Sequence, residues 1–132
     1  MIAHVFLAAV SLCAAAERQS GDAERICYAR IADLTDRKMV AQWKKTLATL
    51  HRDDLEIRRE KLNLPDMTPN LLASQRAWLR YRDAQCGMVS DQAAGGTAGL
   101  GELDSRCRIE LNRQRTIDLK QRAERGLLPP FP

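Results

Sequence analysis

The 132-residue sequence contains little of what enzymes commonly use for catalysis. It has two histidines, and His51 has no second histidine or cysteine at the spacing of a zinc site. It has no GxSxG nucleophile motif, no Walker-type phosphate loop and no GxGxxG dinucleotide fingerprint. We therefore expect a non-catalytic protein without a cofactor, and we assign no catalytic, cofactor-binding or metal-binding residue.

Alternating strand patterns are absent after residue 16, and residues of high helix propensity dominate. The apolar spacing predicts three helices, at about residues 22–50, 68–90 and 102–125, with the glycine-rich segment 91–101 as a loop. The sequence therefore predicts an all-α fold, a small antiparallel bundle of about three helices with short connections.

Two helix ends carry local signals. The charged segment 51–62 either extends the first helix or forms a short helix of its own, and it stops at Asn63-Leu64-Pro65 because the residue before a proline avoids the α conformation. Thr68 is expected to cap the second helix, with Pro69 in its first turn.

The N-terminus has the pattern of a secretory signal peptide. Residues 1–16 contain no Lys, Arg, Asp or Glu, and their apolar run is shorter than the roughly 20 residues that span a membrane. The run ends in three alanines, Ala14 to Ala16, which is typical of a cleavage site. We predict a signal peptide at 1–16, a helical domain at 17–126 and a proline-rich tail at 127–132. The protein is then periplasmic or secreted.

Two other interpretations of this segment are open. It could be a buried N-terminal helix of the domain instead of a leader. Lipid attachment at Cys13 is not expected, because Leu12 stands where lipoprotein signals have a small residue.

Cleavage after Ala16 would leave three cysteines, Cys27, Cys86 and Cys107. Two of the three should pair in an oxidising compartment, and three single bonds are possible. A bond between Cys86 and Cys107 would close a loop of about 20 residues around the glycine-rich segment and stabilise the fold by about 3 kcal/mol. Cys27 would then be buried and unpaired, or it would join two chains.

Several polar residues fall on the apolar faces of the predicted helices, where they are unfavourable unless they find partners. Asp36 could accept hydrogen bonds from Arg82 or Arg115, with Asp83 as the alternative acceptor. We interpret the set as a structural network that fixes how the helices dock. It comprises Asp36, Gln75, Arg82, Asp83 and Arg115. The alternatives are an acid–base or anion-binding site, or side chains that reach solvent from the stripe edge.

The two tryptophans, Trp43 and Trp78, recur with aliphatic residues at helical spacing, so we predict that both belong to the core. The formal net charge is +4, with acidic and basic residues interspersed, which does not indicate a nucleic-acid partner. The third helix is basic, and a solvated face is the default interpretation. Its cations are Arg106, Arg108, Arg113, Arg115, Lys120, Arg122 and Arg125.

The second and third helices resemble the lysozyme inhibitor LprI family of small, secreted, helical bacterial domains. The resemblance rests on Gln75-Arg76-Ala77-Trp78, Arg82-Asp83 and Cys86, then a Gly-Gly-containing gap, Cys107 and Arg115-Thr116. A looser match in the first helix involves Cys27, Asp36, Met39, Val40 and Trp43, where Val40 and Trp43 replace the usual Asn and Tyr. The resemblance covers about residues 24–122.

The resemblance implies an exported helical domain with a disulfide between the second and third helices. It also implies inhibition of lysozyme, which in a chain without a catalytic set would act by steric occlusion. The partner would then be lysozyme or another envelope protein. The alternative hypothesis is an envelope domain that binds an anionic surface or a cell-wall polymer through its basic third helix.

Overall fold

The computed structural model describes residues 13–16, 18–93 and 100–125. They contain α1 (Gly21–Arg59), α2 (Thr68–Gln92) and α3 (Leu100–Arg125), and residues 13–16 are also helical. The described residues include no strand, and the predicted all-α class is confirmed. α2 runs antiparallel to α1, and α3 returns alongside both. None of the described helices is long and apolar enough to cross a membrane.

α1 is a single helix of 39 residues, about 58 Å long at 1.5 Å per residue. Its start is capped by Ser20, whose hydroxyl accepts the backbone N–H of Ala23 at 3.0 Å. Asp22 and Glu24 in the first turn favour the positive end of the helix dipole. Of the two readings of the charged segment after Leu50, the extension of the first helix is the one observed.

The predicted end of this helix at Asn63-Leu64-Pro65 is wrong, because α1 stops at Arg59. Lys61 has a φ of 54°, the left-handed conformation. The backbone N–H of Leu62 donates to the carbonyl of Ile57 at 3.0 Å, and that of Lys61 donates to Arg58 at 3.1 Å. These two bonds form a Schellman motif, a helix terminus in which glycine is the usual left-handed residue. Backbone geometry, and not Pro65, therefore ends α1.

The prediction that Thr68 caps α2 is also wrong, since Thr68 is the first residue of that helix and no local side chain caps it. Asp54 of α1 supplies the cap instead. Its carboxylate accepts the backbone N–H groups of Met67 at 2.8 Å and Thr68 at 2.9 Å. Burial alone would raise the pKa of Asp54, but these hydrogen bonds and nearby Arg58 outweigh it and lower the pKa below its ordinary value.

Two apolar clusters form the core between the helices. One contains Cys13, Tyr28, Ala32 and Ile109. The other contains Met39, Leu50, Leu71 and Leu119. Trp43 and Trp78 are partly buried and pack against the second cluster, so they cover the core from its edge.

Two disulfides connect the described residues. Cys86 of α2 pairs with Cys107 of α3, and Cys13 pairs with Cys27 of α1. The expectation that Cys27 is unpaired or joins two chains is therefore wrong, and it failed because Cys13 was assigned to a cleaved leader. Cys13 is 1% exposed and packs in the cluster with Tyr28, Ala32 and Ile109.

The predicted signal peptide and the predicted C-terminal tail are not tested by these observations. Cleavage after Ala16 would remove Cys13 and with it the observed bond to Cys27. Residues 94–99 of the glycine-rich segment and the tail at 127–132 lie outside the described residues.

Candidate functional site

Arg82 joins all three helices at the centre of the bundle. Its side chain is 11% exposed and donates from Nη1 to Oδ1 of Asp36 on α1 at 2.6 Å. The same nitrogen donates to Oδ1 of Asn112 on α3 at 3.0 Å. Asn112 in turn donates to the hydroxyl of Thr35 at 3.2 Å. Because these hydrogen bonds connect α1, α2 and α3, this group fixes how the three helices dock.

Asp83 extends this network toward the surface. Its Oδ1 accepts from Nε of Arg82 at 3.1 Å and from Nη1 of Arg108 at 2.8 Å. Burial alone would raise the pKa of Asp83, but the two guanidinium groups outweigh it and lower the pKa below its ordinary value. Arg108 also binds Asp104 at 2.9 Å. Asp83 is therefore an ionised carboxylate between two cations, and it connects α2 to Arg108 of α3.

Arg115 forms a second, separate group. It is 8% exposed and donates to Oε1 of Gln75 at 3.0 Å, to the hydroxyl of Ser74 at 3.0 Å and to Asp118 at 2.8 Å. Burial lowers the pKa of Arg115 from its ordinary value, and Asp118 only partly opposes that effect. Gln75 also donates to the sulfur of Met39 at 3.2 Å. Arg115 thus pairs with Asp118, and not with Asp36.

The five predicted network residues therefore divide into two groups, Asp36–Arg82–Asp83 and Gln75–Arg115. Trp78 lies between them, with the guanidinium carbons of Arg82 and Arg115 at 5.4 Å and 5.7 Å from its ring centroid. These distances permit cation–π interactions with both arginines. Trp78 is thus both a core-edge residue and a contact between the groups.

Sequence reasoning missed several residues of these groups. They are Thr35, Ser74, Asn112 and Asp118. Asn112 carried the clearest signal, since it lies three residues after Ile109 and seven before Leu119, both of which are buried. A polar side chain on a fully buried stripe indicates an internal hydrogen-bond partner.

Arg106 organises the end of the bundle that holds both disulfides. It donates to the hydroxyl of Tyr28 at 2.8 Å and stacks on the same ring at 4.5 Å. It also forms ion pairs with Glu102 at 2.8 Å and Glu24 at 3.8 Å. This end of α1 is therefore joined to α3 by charge and aromatic contacts.

A solvent-open groove of about 460 Å³ lies between α2 and α3, within the size range of ligand sites. Its walls mix apolar and polar side chains. The lining residues are Tyr81, Gln85, Val89, Leu103, Arg106, Cys107, Glu110, Leu111 and Gln114. Gln114 donates to Glu110 at 3.2 Å, so two of the polar lining residues already form a hydrogen bond with each other.

No cluster of three metal-ligating side chains occurs among the residues that the structure describes, and His51 is exposed on α1. Most of the buried polar side chains described above bind one another. The fold and these contacts define a small disulfide-linked helical domain whose buried polar residues hold its helices together.

The chain belongs to the family described as "Lysozyme inhibitor LprI", which matches residues 13–119. The family inferred from the sequence motifs is thereby confirmed. The match begins at Cys13 and includes both disulfides. At the level of the family, this membership supports a lysozyme-inhibitor-like function.

One curated relative is "Uncharacterized protein R02472" from Rhizobium meliloti (strain 1021). It is 30% identical over 99 residues, which cover 75% of this chain and 70% of that protein. No solved structure matches the chain.

Proposed function

We propose that this protein is an exported, non-catalytic binding protein that inhibits lysozyme by occluding its substrate cleft. The observation that carries the proposal is the family match over residues 13–119, which spans nearly all of the three-helix domain. The match includes all four bonded cysteines, so it concerns the complete disulfide framework.

The disulfides support an exported location. Disulfides persist in the periplasm and outside the cell, and they are rare in reducing compartments. Lysozyme attacks the cell wall in the same oxidising environment. An inhibitor with two internal cross-links would also be preorganised, and it would lose little conformational entropy on binding.

The charge balance limits how such an inhibitor can bind. This chain carries +4, and lysozymes of the common host type are also basic, so overall attraction does not bring the two together. Glycoside hydrolases, however, place two carboxyl groups beside the scissile bond. Local attraction is therefore possible at the acidic centre of the cleft.

The alternative, binding of an anionic surface through α3, is less favoured because many cations of this helix are already paired. Arg108 binds Asp83 and Asp104, and Arg115 binds Asp118. Arg106 and Arg122 also form ion pairs with acidic side chains. A helix whose cations are neutralised in this way attracts an anionic polymer weakly.

The test is inhibition of cell-wall lysis. The purified protein, with Cys13 retained, would be mixed with lysozymes of several types while the turbidity of a cell-wall suspension is followed. We expect slower lysis by at least one type, with inhibition relieved by excess substrate. The reduced and alkylated protein is the control. Unchanged lysis by every type at roughly tens of micromolar inhibitor would reject the proposal.

A further inference from the structure

The outward side of α2 forms a continuous exposed surface, which we call the α2 outer face. Its residues recur at spacings of one, three and four, so they lie on one side of the helix over about 22 Å. All of them are exposed. They are Ala73, Arg76, Ala77, Arg80, Tyr81, Ala84 and Met88.

Two cations of this face have no acidic partner. Within the part of the chain that the structure describes, the side chains of Arg76 and Arg80 form no ion pair and no hydrogen bond. Asp83, three residues after Arg80, is already bound by Arg82 and Arg108. Like charges one turn apart repel each other and destabilise a helix. The guanidinium groups of both residues are therefore available to acidic groups of a partner.

The rest of the face has the features of a contact surface. Tyr81 is 54% exposed and also lines the groove, and Met88 is 46% exposed. Tyrosine, arginine and methionine are enriched in protein interfaces. The alanines between the two edges are small, so a partner can approach the helix closely.

The opposite side of α2 is held rigidly, which keeps the outer face in a fixed position. Cys86 is bonded to Cys107, and Arg82 and Gln75 bind residues of the other helices. A rigid helix that presents side chains outward is a preorganised binding element.

We propose that the α2 outer face enters the substrate cleft of lysozyme, where Arg76 and Arg80 bind its two catalytic carboxylates. This inference rests on the proposed function. Side chains four residues apart on a helix have Cβ atoms about 5–6 Å apart, and the two carboxyl groups of glycosidases lie about 5–9.5 Å apart. Flexible arginine side chains can match that spacing. Tyr81 and Met88 then pack against the cleft wall.

The test reverses both charges, in the variant R76E/R80E. We expect it to weaken inhibition of lysis by at least about 100-fold, because charge–charge contacts become repulsive. The matched control is K44E/K45E, which changes the net charge equally at two exposed positions of α1. We expect the control to change inhibition by less than about threefold, since a remote surface charge acts only through screened attraction.

Two further measurements keep the inference testable if the charge reversal prevents folding. Ala77→Trp adds bulk at the centre of the face without changing charge, and we expect it to abolish inhibition. Binding of the unaltered protein to a lysozyme whose catalytic acid is replaced by its amide should be at least about tenfold weaker, since one charge pair is lost.

The outcomes separate this inference from the proposed function. No inhibition by the unaltered protein would reject the proposed function itself. Inhibition that survives both R76E/R80E and Ala77→Trp would leave the function standing and reject the α2 outer face as its site. Equal losses for R76E/R80E and K44E/K45E would also reject it, since overall charge would then explain the effect.

Discussion

The carboxylate of Asp54 on α1 accepts the backbone N–H of Thr68 at 2.9 Å, so one helix supplies the N-terminal cap of the next. The same carboxylate accepts the N–H of Met67. Asp54 is 3% exposed, which makes these hydrogen bonds the means by which its charge is tolerated. The link also positions the start of α2, the helix that carries Arg76 and Arg80.

Asp54→Ala should lower the free energy of unfolding by about 2–3 kcal/mol at neutral pH, because two helix-start N–H groups lose their acceptor. Urea denaturation followed by circular dichroism measures this change. Asp53→Asn is the control, since the Asp53 carboxylate accepts no hydrogen bond among the described residues. A difference of a few tenths of a kcal/mol or less for Asp54→Ala would contradict the capping role.

The contribution of Asp54 should also depend on pH in a defined direction. Its pKa is lower in the folded protein than the ordinary value of about 3.9, so the stability it provides is fully present above pH 4–5. That stability is lost as the pH falls through the lowered pKa of the folded state. The stability difference between the wild type and Asp54→Asn should therefore shrink as the pH falls from 6 to roughly 2. A constant difference over this range would exclude the linkage.

A double-mutant cycle on Asp36 and Arg82 should give a coupling free energy of about 1–2 kcal/mol, since Arg82 is largely buried and Asp36 is partly exposed. Arg82→Ala alone should cost more than Asp36→Ala, because it also removes the donor to Asn112. The exposed pair Arg37 and Asp33 provides the comparison, with an expected coupling of about 0.3–0.5 kcal/mol. Additive effects of the two single substitutions would show that Asp36 and Arg82 are not coupled.

If the protein is exported as proposed, its mature form should retain Cys13, because this residue is buried and bonded to Cys27. Mass spectrometry of the protein recovered from the cell envelope, before and after reduction, would give both the N-terminus and the bond. Replacing Cys13 and Cys27 by alanine should cost about 3 kcal/mol in the chain-entropy estimate for this loop length. A mature N-terminus at Glu17 with a free Cys27 thiol would contradict the observed pairing.

Lys61→Gly should raise the free energy of unfolding by about 0.5–1 kcal/mol, because glycine adopts the left-handed conformation without the steric cost that a side chain imposes. Thermal denaturation would show this as a higher midpoint. Lys61→Ala is the matched control, since it removes the charge but keeps the Cβ atom. If the alanine variant gains as much stability as the glycine variant, the effect arises from charge and not from the backbone.

The three long helices and their approximate limits could be predicted from the sequence, because residues of high helix propensity and the glycine-rich segment mark them. The buried face of α1 was harder to predict from the sequence. The spacing of apolar residues predicts a stripe of Val40, Trp43, Leu47 and Leu50. Leu50 is buried, but the other buried residues of the helix include Thr35, Met39 and Thr46. Threonine is polar, so the apolar pattern does not mark these positions as buried. Their hydroxyls are buried because they form hydrogen bonds within the protein, as in the 2.9 Å bond from Thr46 to the carbonyl of Leu119.

The pairing of Asp36 with Arg82 was among the alternatives that the sequence offered, since both lie on apolar faces. The cap from Asp54 and the bond between Cys13 and Cys27 could not be predicted in the same way. Both depend on how segments outside the predicted helices, around Cys13 and Met67, lie against α1. Asp54 and Thr68 are 14 residues apart and belong to different helices, so no local capping motif connects them.

Both disulfides lie at the end of the bundle where α1 begins, near Tyr28 and Arg106. The other end, around Asp54 and Lys61, has no disulfide among the described residues and is held by packing, by hydrogen bonds to Asp54 and by the ion pair between Arg58 and Asp66. Cross-links at one end limit local opening there, so amide hydrogen exchange should be slowest near Cys27 and Cys107 and faster toward the α1–α2 connection. The domain is therefore expected to open like a hinge from its uncrosslinked end, while the covalently linked end keeps the three helices in register.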